Sequence, residues 1–280
     1  MLKISEITSL DASKIDLNNF DLRLKDLVLI KNLISENDSS FEKTISELQI
    51  QFPSTQLTLN DGFFLPRPYS TVNEQFDDEQ EALDCYFSLA DLAKSEFKFN
   101  QVLVADWFEN QLQRVFSDKL RPLTYNQKSF APFGIRVLTA EKNGLDIHCE
   151  NAFLHQLMPN FRKWLQTKID IENSISFVIS LDAPEEGGEL IVFDMDWNQF
   201  PLRLDTTTYE ERHDLNGSLF TNRNKSNVNA TGFQLQSGDA VVFRAGQLWH
   251  AVQPPKGSKN RITIGCFIAK GHDNKYYYWA

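Results

Sequence analysis

Cysteine is scarce in this chain of 280 residues, with only Cys85, Cys149 and Cys266. The number is odd and no CxxC pair exists, which excludes a disulfide framework and a zinc ribbon. Reduced thiols point to the cytoplasm. No stretch approaches the ~18 consecutive apolar residues of a membrane-crossing helix, so no span is expected. The opening MLKISEITSLDASKIDL lacks a basic segment followed by an apolar core, so it is not a secretory signal. Basic stripes and Lys/Arg blocks are missing too. Acidic residues outnumber basic ones, 38 to 28, for a net charge of −10. Such a surface repels phosphates and anionic lipid, so neither nucleic acid nor membrane is expected as a partner. There is no internal repeat.

What the chain does have is apolar mass. Hydrophobic residues make up 41% of it, and 22 are Phe. Large rings suit the space between two sheets. Leu27 to Ile30 form a short apolar run typical of a buried strand. Ser35 to Asp38 follow as a helix start, and Phe41, Ile45 and Leu48 recur at helical spacing. Residues 52–80 carry Pro53, Pro66 and Pro68 and read as loop. Phe63, Phe64 and Tyr69 in that loop suit either a core plug or a lid over a pocket. Residues 78–120 predict two amphipathic helices, one through Leu83, Phe87, Ala90 and Ala93, the other through Val104, Trp107, Phe108, Leu112 and Phe116.

From residue 133 the texture becomes β. Strands are predicted at 133–139, 145–151, 174–181, 189–193, 240–244, 248–252 and 261–269, separated by turns such as EEGG at 185–188 and QPPKGSKN at 253–260. One helix, roughly 153–166, interrupts them. Residues 198–232 are polar and long enough to be functional or mobile. Early helices followed by many short strands predict a mainly β protein with flanking helices and a sandwich or jelly-roll core.

The chemistry centres on Leu145-Asp-Ile-His-Cys-Glu-Asn151. In a strand, alternate side chains share a face, so His148 and Glu150 point one way and Ile147 and Cys149 the other. The second imidazole expected is His250, in Gln247-Leu-Trp-His-Ala-Val252. Two His and one carboxylate leave coordination positions open, the facial triad of non-haem Fe(II) oxygenases. Arg261 follows a Pro254-Pro255 turn that is expected to fold its strand back beside the His250 strand. Arg261 and Thr263 then share a face, a bidentate fork beside a hydroxyl that suits the remote carboxylate of 2-oxoglutarate. His155, His213 and His272 lack a partner at ligand spacing.

The order of these motifs resembles the 2-oxoglutarate/Fe(II) dioxygenases with a double-stranded β-helix (jelly-roll) core. Longer stretches are similar to the carrier-independent halogenases that act on hapalindole- and welwitindolinone-type alkaloids. They are Gly134-Ile-Arg-Val-Leu138, His148-Cys-Glu-Asn-Ala-Phe153, residues 177–190, Trp197-Asn198, Gly238-Asp239 and Tyr277-Tyr-Trp279. The resemblance covers most of 130–280 and hardly touches 52–125. Those halogenases carry Gly where this chain has Glu150, and the missing carboxylate leaves room for chloride. Glu150 therefore implies a hydroxylase-type relative.

The expectation is one oxygenase domain over 1–280, with a helix-rich part at 1–125 packing on a jelly-roll core at 130–280. Its cofactors are Fe(II) and 2-oxoglutarate, with O₂ as co-substrate, and its substrate is a small molecule hydroxylated at an unactivated C–H. His148, Glu150 and His250 are the metal ligands; Arg261, Thr263 and Arg136 are cofactor-binding candidates. Asn151, Phe153 and Trp197 are candidates for bordering the substrate. The alternatives are a peptide or protein hydroxylase of the prolyl-hydroxylase kind, a desaturase or cyclase using the same oxidant, and a non-catalytic jelly-roll binding protein.

Overall fold

The structure is a computed structural model that describes residues 3–7, 14–17, 27–34, 41–59, 62–197 and 230–280. It is mainly β with few helices, as its sequence pattern predicts. A ten-stranded sheet runs in the order Ile4–Ile7, Leu27–Ile30, Ala240–Phe243, Ile175–Asp182, Arg261–Lys270, Gly134–Leu138, Gly62–Leu65, Leu57–Leu59. Tyr276–Trp279 and Leu120–Pro122 extend it beside the Arg261–Lys270 strand. A four-stranded sheet runs Leu145–His148, Leu248–Val252, Leu190–Asp196, Ala230–Phe233.

The two sheets face each other across one apolar layer. Leu27, Leu29, Leu138, Val241 and Phe243 from the large sheet meet Leu190, Val192, Phe233, Leu248 and Val252 from the small one. The large sheet is buried on its other face as well. Val28, Ile30, Ile135, Val137, Phe177, Ile179, Ile262 and Ile264 pack there against Phe41, Ile45, Leu48, Phe108 and Leu112. This two-sided burial explains why LVLI at 27–30 has no polar alternation: all four residues are buried.

The two predicted helices over 78–120 form. Glu79–Glu96 starts at Asp78, whose carboxylate accepts a hydrogen bond from the Glu81 amide at 2.9 Å, and acids fill its first turn, where the helix dipole favours them. Its face of Leu83, Tyr86, Phe87, Ala90 and Ala93 is buried. Val104–Val115 buries Val104, Phe108, Leu112 and Val115, one stripe at helical period. Phe41–Gln51 likewise buries Phe41, Ile45 and Leu48.

Several expectations need correction. Residues 52–80 are not a loop. They hold the strands Leu57–Leu59 and Gly62–Leu65 and the helix Tyr69–Asn73. Proline and polar residues suggested turn chemistry, but pairing with Gly134–Leu138 makes GFFL a strand. Phe63 packs on the main core and Tyr69 is buried, so they plug rather than cover. The helix expected over 153–166 is broken into Glu150–Phe153, a 3-10 turn at Leu154–Gln156 and Pro159–Lys168, because Pro159 starts a new helix. The polar stretch 198–232 lies outside the described residues up to 229, and its end forms the strand Ala230–Phe233. The helix start at 35–38 also lies outside them. No helix among the described residues is long and apolar enough to cross a membrane.

Phe177 is fully buried, with its ring 5.9 Å from Phe108 and 5.6 Å from Phe116. Phe177→Ala is expected to cost about 3–5 kcal/mol. Urea unfolding measures this, and a loss below ~1 kcal/mol would place the ring outside the working core.

Candidate metal centre

The site forms where two strands of the small sheet pair. His148 and His250 are direct partners across the antiparallel Leu145–His148 and Leu248–Val252 strands, with ring centroids 4.2 Å apart. Sequence order cannot bring them together; this one register does. Glu150 lies beyond the strand's end. His148 closes the strand, Cys149 is still extended, and Glu150 opens the Glu150–Phe153 helix. Alternation therefore holds through Cys149, which is buried on the opposite side with Ile147 and Trp249. The expected strand 145–151 is short by three residues at its end, yet Glu150 still reaches the same point as His148.

The ligand-capable atoms of His148, Glu150 and His250 lie within 4.8 Å of one another, and His250 Nε2 is 3.9 Å from Glu150 Oε1. Bonds of about 2 Å to a common ion can meet on that scale. Both rings are oriented for it. His148 Nδ1 bonds the Asp146 carbonyl at 2.7 Å and His250 Nδ1 the Leu248 carbonyl at 2.9 Å. A carbonyl only accepts, so each Nδ1 carries the proton and each Nε2 presents a lone pair. Phe243 packs edge-on to His250, its centroid 4.9 Å away.

A turn holds Glu150 against the His250 strand. The Glu150 amide donates to the Ala245 carbonyl at 3.1 Å, and the Cys149 thiol donates to the Gly246 carbonyl at 2.9 Å. Asn151 Nδ2 and Gln247 Nε2 both donate to the Glu172 carbonyl, at 3.1 and 2.7 Å. Gly246 fits this knot because a Cβ would sit 2.9 Å from that carbonyl.

The electrostatics suit a cation. Burial pushes the Glu150 carboxyl up to about 7, partly offset by Arg136. Burial lowers His250 to about 4, against its hydrogen bond to Leu248. His148 is held well below the ordinary imidazole range by burial first, then by His250 and Arg136. Two neutral imidazoles and a desolvated carboxylate form a donor set that a divalent metal would relieve.

Arg261 stands on a different sheet. The Pro254-Pro255 turn does not fold its strand beside His250, as the sequence suggested. It carries the chain across to the ten-stranded sheet, where Arg261–Lys270 pairs with Gly134–Leu138 and Ile175–Asp182. Arg261 and Thr263 do share a face, since Ile262 and Ile264 lie in the helix-side core. Arg261 is 6% exposed, and its guanidinium makes no hydrogen bond or ion pair among the described residues. Burial, then Arg136, lowers its guanidinium to about 10. Arg136 is the cross-strand partner of Thr263 and lies over the Phe64 ring at 4.3 Å. Its charge acts on Glu150, His148 and Arg261 together, so it bridges the two ends of the site.

Of the remaining candidates, Asn151 is buried with its Oδ1 unbonded. Trp197 stacks on Trp249 at 5.4 Å, in the cluster on the far side of the small sheet, which favours packing over a pocket wall. The side chains of Phe153 and His155, and all of Asn198 and His213, lie outside the described residues. His272 is exposed and bonds the Gln166 carbonyl at 3.0 Å. Sequence reasoning missed the contact of Phe243 with His250 and the carbonyls of Asp146 and Leu248, while Phe64, read as a plug or a lid, lies under the Arg136 guanidinium. Only the i−2 spacing of those carbonyls from each His was visible beforehand.

The family model described as carrier-protein-independent halogenase WelO5 matches residues 87–280. No curated protein matches the chain in sequence. Among solved structures, a novel N-substituted L-amino acid dioxygenase from Burkholderia ambifaria AMMD is similar with a TM-score of 0.56 at 12% identity, covering 93% of this chain and 88% of that one. A carbocyclase from nogalamycin biosynthesis, SnoK, gives 0.46 at 11%, covering 92% and 87%. HygX from Streptomyces hygroscopicus, with nickel and 2-oxoglutarate bound, gives 0.43 at 12%, covering 88% and 83%. Only the first is similar enough to speak of a shared fold.

Proton competition at this cluster gives a test. Glu150 must be ionised to ligate, and its carboxyl is pushed up to about 7. Affinity for Co(II), used as a probe, should therefore rise with pH up to about 7 and level off above it. About tenfold weaker binding is expected for each pH unit below that point. Affinity that stays flat from about pH 6 to 8 would remove the buried carboxylate from the ligand set.

Proposed function

Because the chain belongs to the carrier-protein-independent halogenase WelO5 family, whose members are Fe(II)- and 2-oxoglutarate-dependent, we propose that it hydroxylates an unactivated C–H of a free-standing small molecule. Succinate and CO₂ leave as co-products. The observation that carries this reading is the carboxylate of Glu150, 3.9 Å from His250 Nε2 inside the metal-capable cluster. A carboxylate there takes the position that a halide would need. Two facing sheets with the cluster on the smaller one support a double-stranded β-helix core. The core shared between the early helices and the later strands supports one oxygenase domain over 1–280.

In this reading His148 Nε2, His250 Nε2 and a Glu150 oxygen hold Fe(II). Iron with 2-oxoglutarate and O₂ supplies an oxidant strong enough to take hydrogen from an unactivated carbon. The residues do the rest. The Nδ1–H bonds to Asp146 and Leu248 keep both imidazoles neutral and aimed. Arg261 accepts the far carboxylate of 2-oxoglutarate as a two-pronged, charge-assisted pair, with Thr263 beside it. A buried guanidinium with no acid partner among the described residues is what such a carboxylate would satisfy. Arg136 adds positive charge between the ligands and Arg261, which favours a dianionic co-substrate. Asn151, buried with its Oδ1 unbonded, is the candidate for a substrate contact.

Family membership favours a second reading, halogen transfer. Desaturation, ring closure and peptide hydroxylation use the same machinery, and product mass separates them. Titration of anaerobic protein with Fe(II) and 2-oxoglutarate should develop the weak visible band of the chelate. A substrate screen in chloride buffer, scored by succinate, should give a product richer by one oxygen atom. A chlorinated product would overturn the hydroxylase reading, and absent succinate would leave a binding protein. Glu150→Ala should reduce oxygenated product at least about a hundredfold while the protein stays folded by circular dichroism.

A further inference from the structure

We propose that Gly188, with Gly187 beside it, decides which 2-oxo acid the site accepts, by fixing the aliphatic stem of Arg261. The proposal rests on Arg261 as the co-substrate receptor. The chain crosses from the large sheet to the small one between Asp182 and Leu190 and returns between Val252 and Arg261. These two crossings pair with each other, Glu186 opposite Lys256 and Gly187 opposite Pro255. The Gly188 amide donates to the Pro254 carbonyl at 3.3 Å, and the Gln253 amide to the Glu189 carbonyl at 2.9 Å. Together they cap the end of the sandwich from which the Arg261 strand sets out.

Both glycines are left-handed, at φ +68° and +69°. A Cβ on Gly187 would lie 2.2 Å from the Pro254 carbonyl oxygen, so this glycine lets the cap close. A Cβ on Gly188 would lie 3.1 Å from Arg261 Cδ and 2.6 Å from Pro184 Cγ. The Arg261 stem thus rests against bare backbone, with the buried Pro184 behind it.

Two acids of the cap, Glu185 and Glu141, are engaged away from Arg261. Glu185 accepts from the Ser258 amide and hydroxyl, each at 2.9 Å, and Glu141 accepts from the Gly257 amide at 2.7 Å. Packing of the stem, rather than a counter-ion among the described residues, therefore holds the guanidinium. A charged fork held by its stem cannot follow a ligand that is too short or too long. Its paired hydrogen bonds fade within a few tenths of an ångström. The arm therefore gauges the span from the metal cluster to the far carboxylate.

The test titrates anaerobic Fe(II)-loaded protein with oxaloacetate, 2-oxoglutarate and 2-oxoadipate, which differ by one carbon each, and reads the visible band without turnover. The wild type should prefer 2-oxoglutarate by about tenfold or more over either homologue. Gly188→Ala should weaken 2-oxoglutarate by about tenfold and narrow that preference, with Fe(II) affinity unchanged. Gly257→Ala is the control. It lies in the same cap at φ +91°, and its Cβ would meet the Glu185 carboxylate instead of Arg261. It should lose thermal stability yet keep the wild-type preference. If Gly188→Ala does not fold, Pro184→Ala/Gly188→Ala removes the ring clash, keeps the Arg261 contact and should show the same loss. A folded Gly188 variant with wild-type preference overturns the proposal, as does an equal loss in Gly257→Ala. A wild type that binds none of the three acids overturns the receptor role of Arg261 instead, which is a separate failure.

Discussion

The pairing of His148 opposite His250 across two antiparallel strands is the constraint on which the site depends. One register sets both imidazoles on the face that looks toward the large sheet, and a slip by one residue would turn one of them outward. Burial between the sheets then does the electrostatic work. It keeps both rings neutral and makes the Glu150 carboxylate costly on its own.

Everything around the pair serves its geometry. The turn from Arg244 to Gln247 carries the chain from the large sheet to the small one and binds Glu150 and Cys149 through its carbonyls. The Pro254-Pro255 crossing carries it back and delivers Arg261 to the facing sheet. The residues of the proposed site therefore come from both layers of the sandwich, His148 and His250 on the small sheet and Arg261 on the large one. Arg136, in register with Thr263 on the large sheet, acts electrostatically on His148, Glu150 and Arg261 alike.

Much of this was legible beforehand. All seven strands expected after residue 133 exist; LDIH at 145–148 lacks an apolar run and is held by pairing with Leu248–Val252. Phe41, Ile45 and Leu48 share a buried face because helical spacing is local. GFFL at 62–65 misled, because its strand character comes from pairing with Leu57–Leu59 and with Gly134–Leu138, seventy or more positions away, not from its own pattern. The place of Arg261 misled for a related reason. A proline turn signals a reversal, but not whether the next strand joins the same sheet or the opposite one.

Glu150 shows the boundary most clearly. The sequence by itself determined the donor types, the two-residue spacing that keeps His148 and Glu150 close, and the presence of His250 and Arg261 downstream. Those follow from periods of two and of 3.6 residues, which operate over a few neighbours. Only the tertiary structure decided that His250 lies directly opposite His148, that Glu150 opens a helix instead of continuing a strand, and that Arg261 stands on the other sheet. Those depend on which strands pair and which layers meet, and long-range burial fixes that choice.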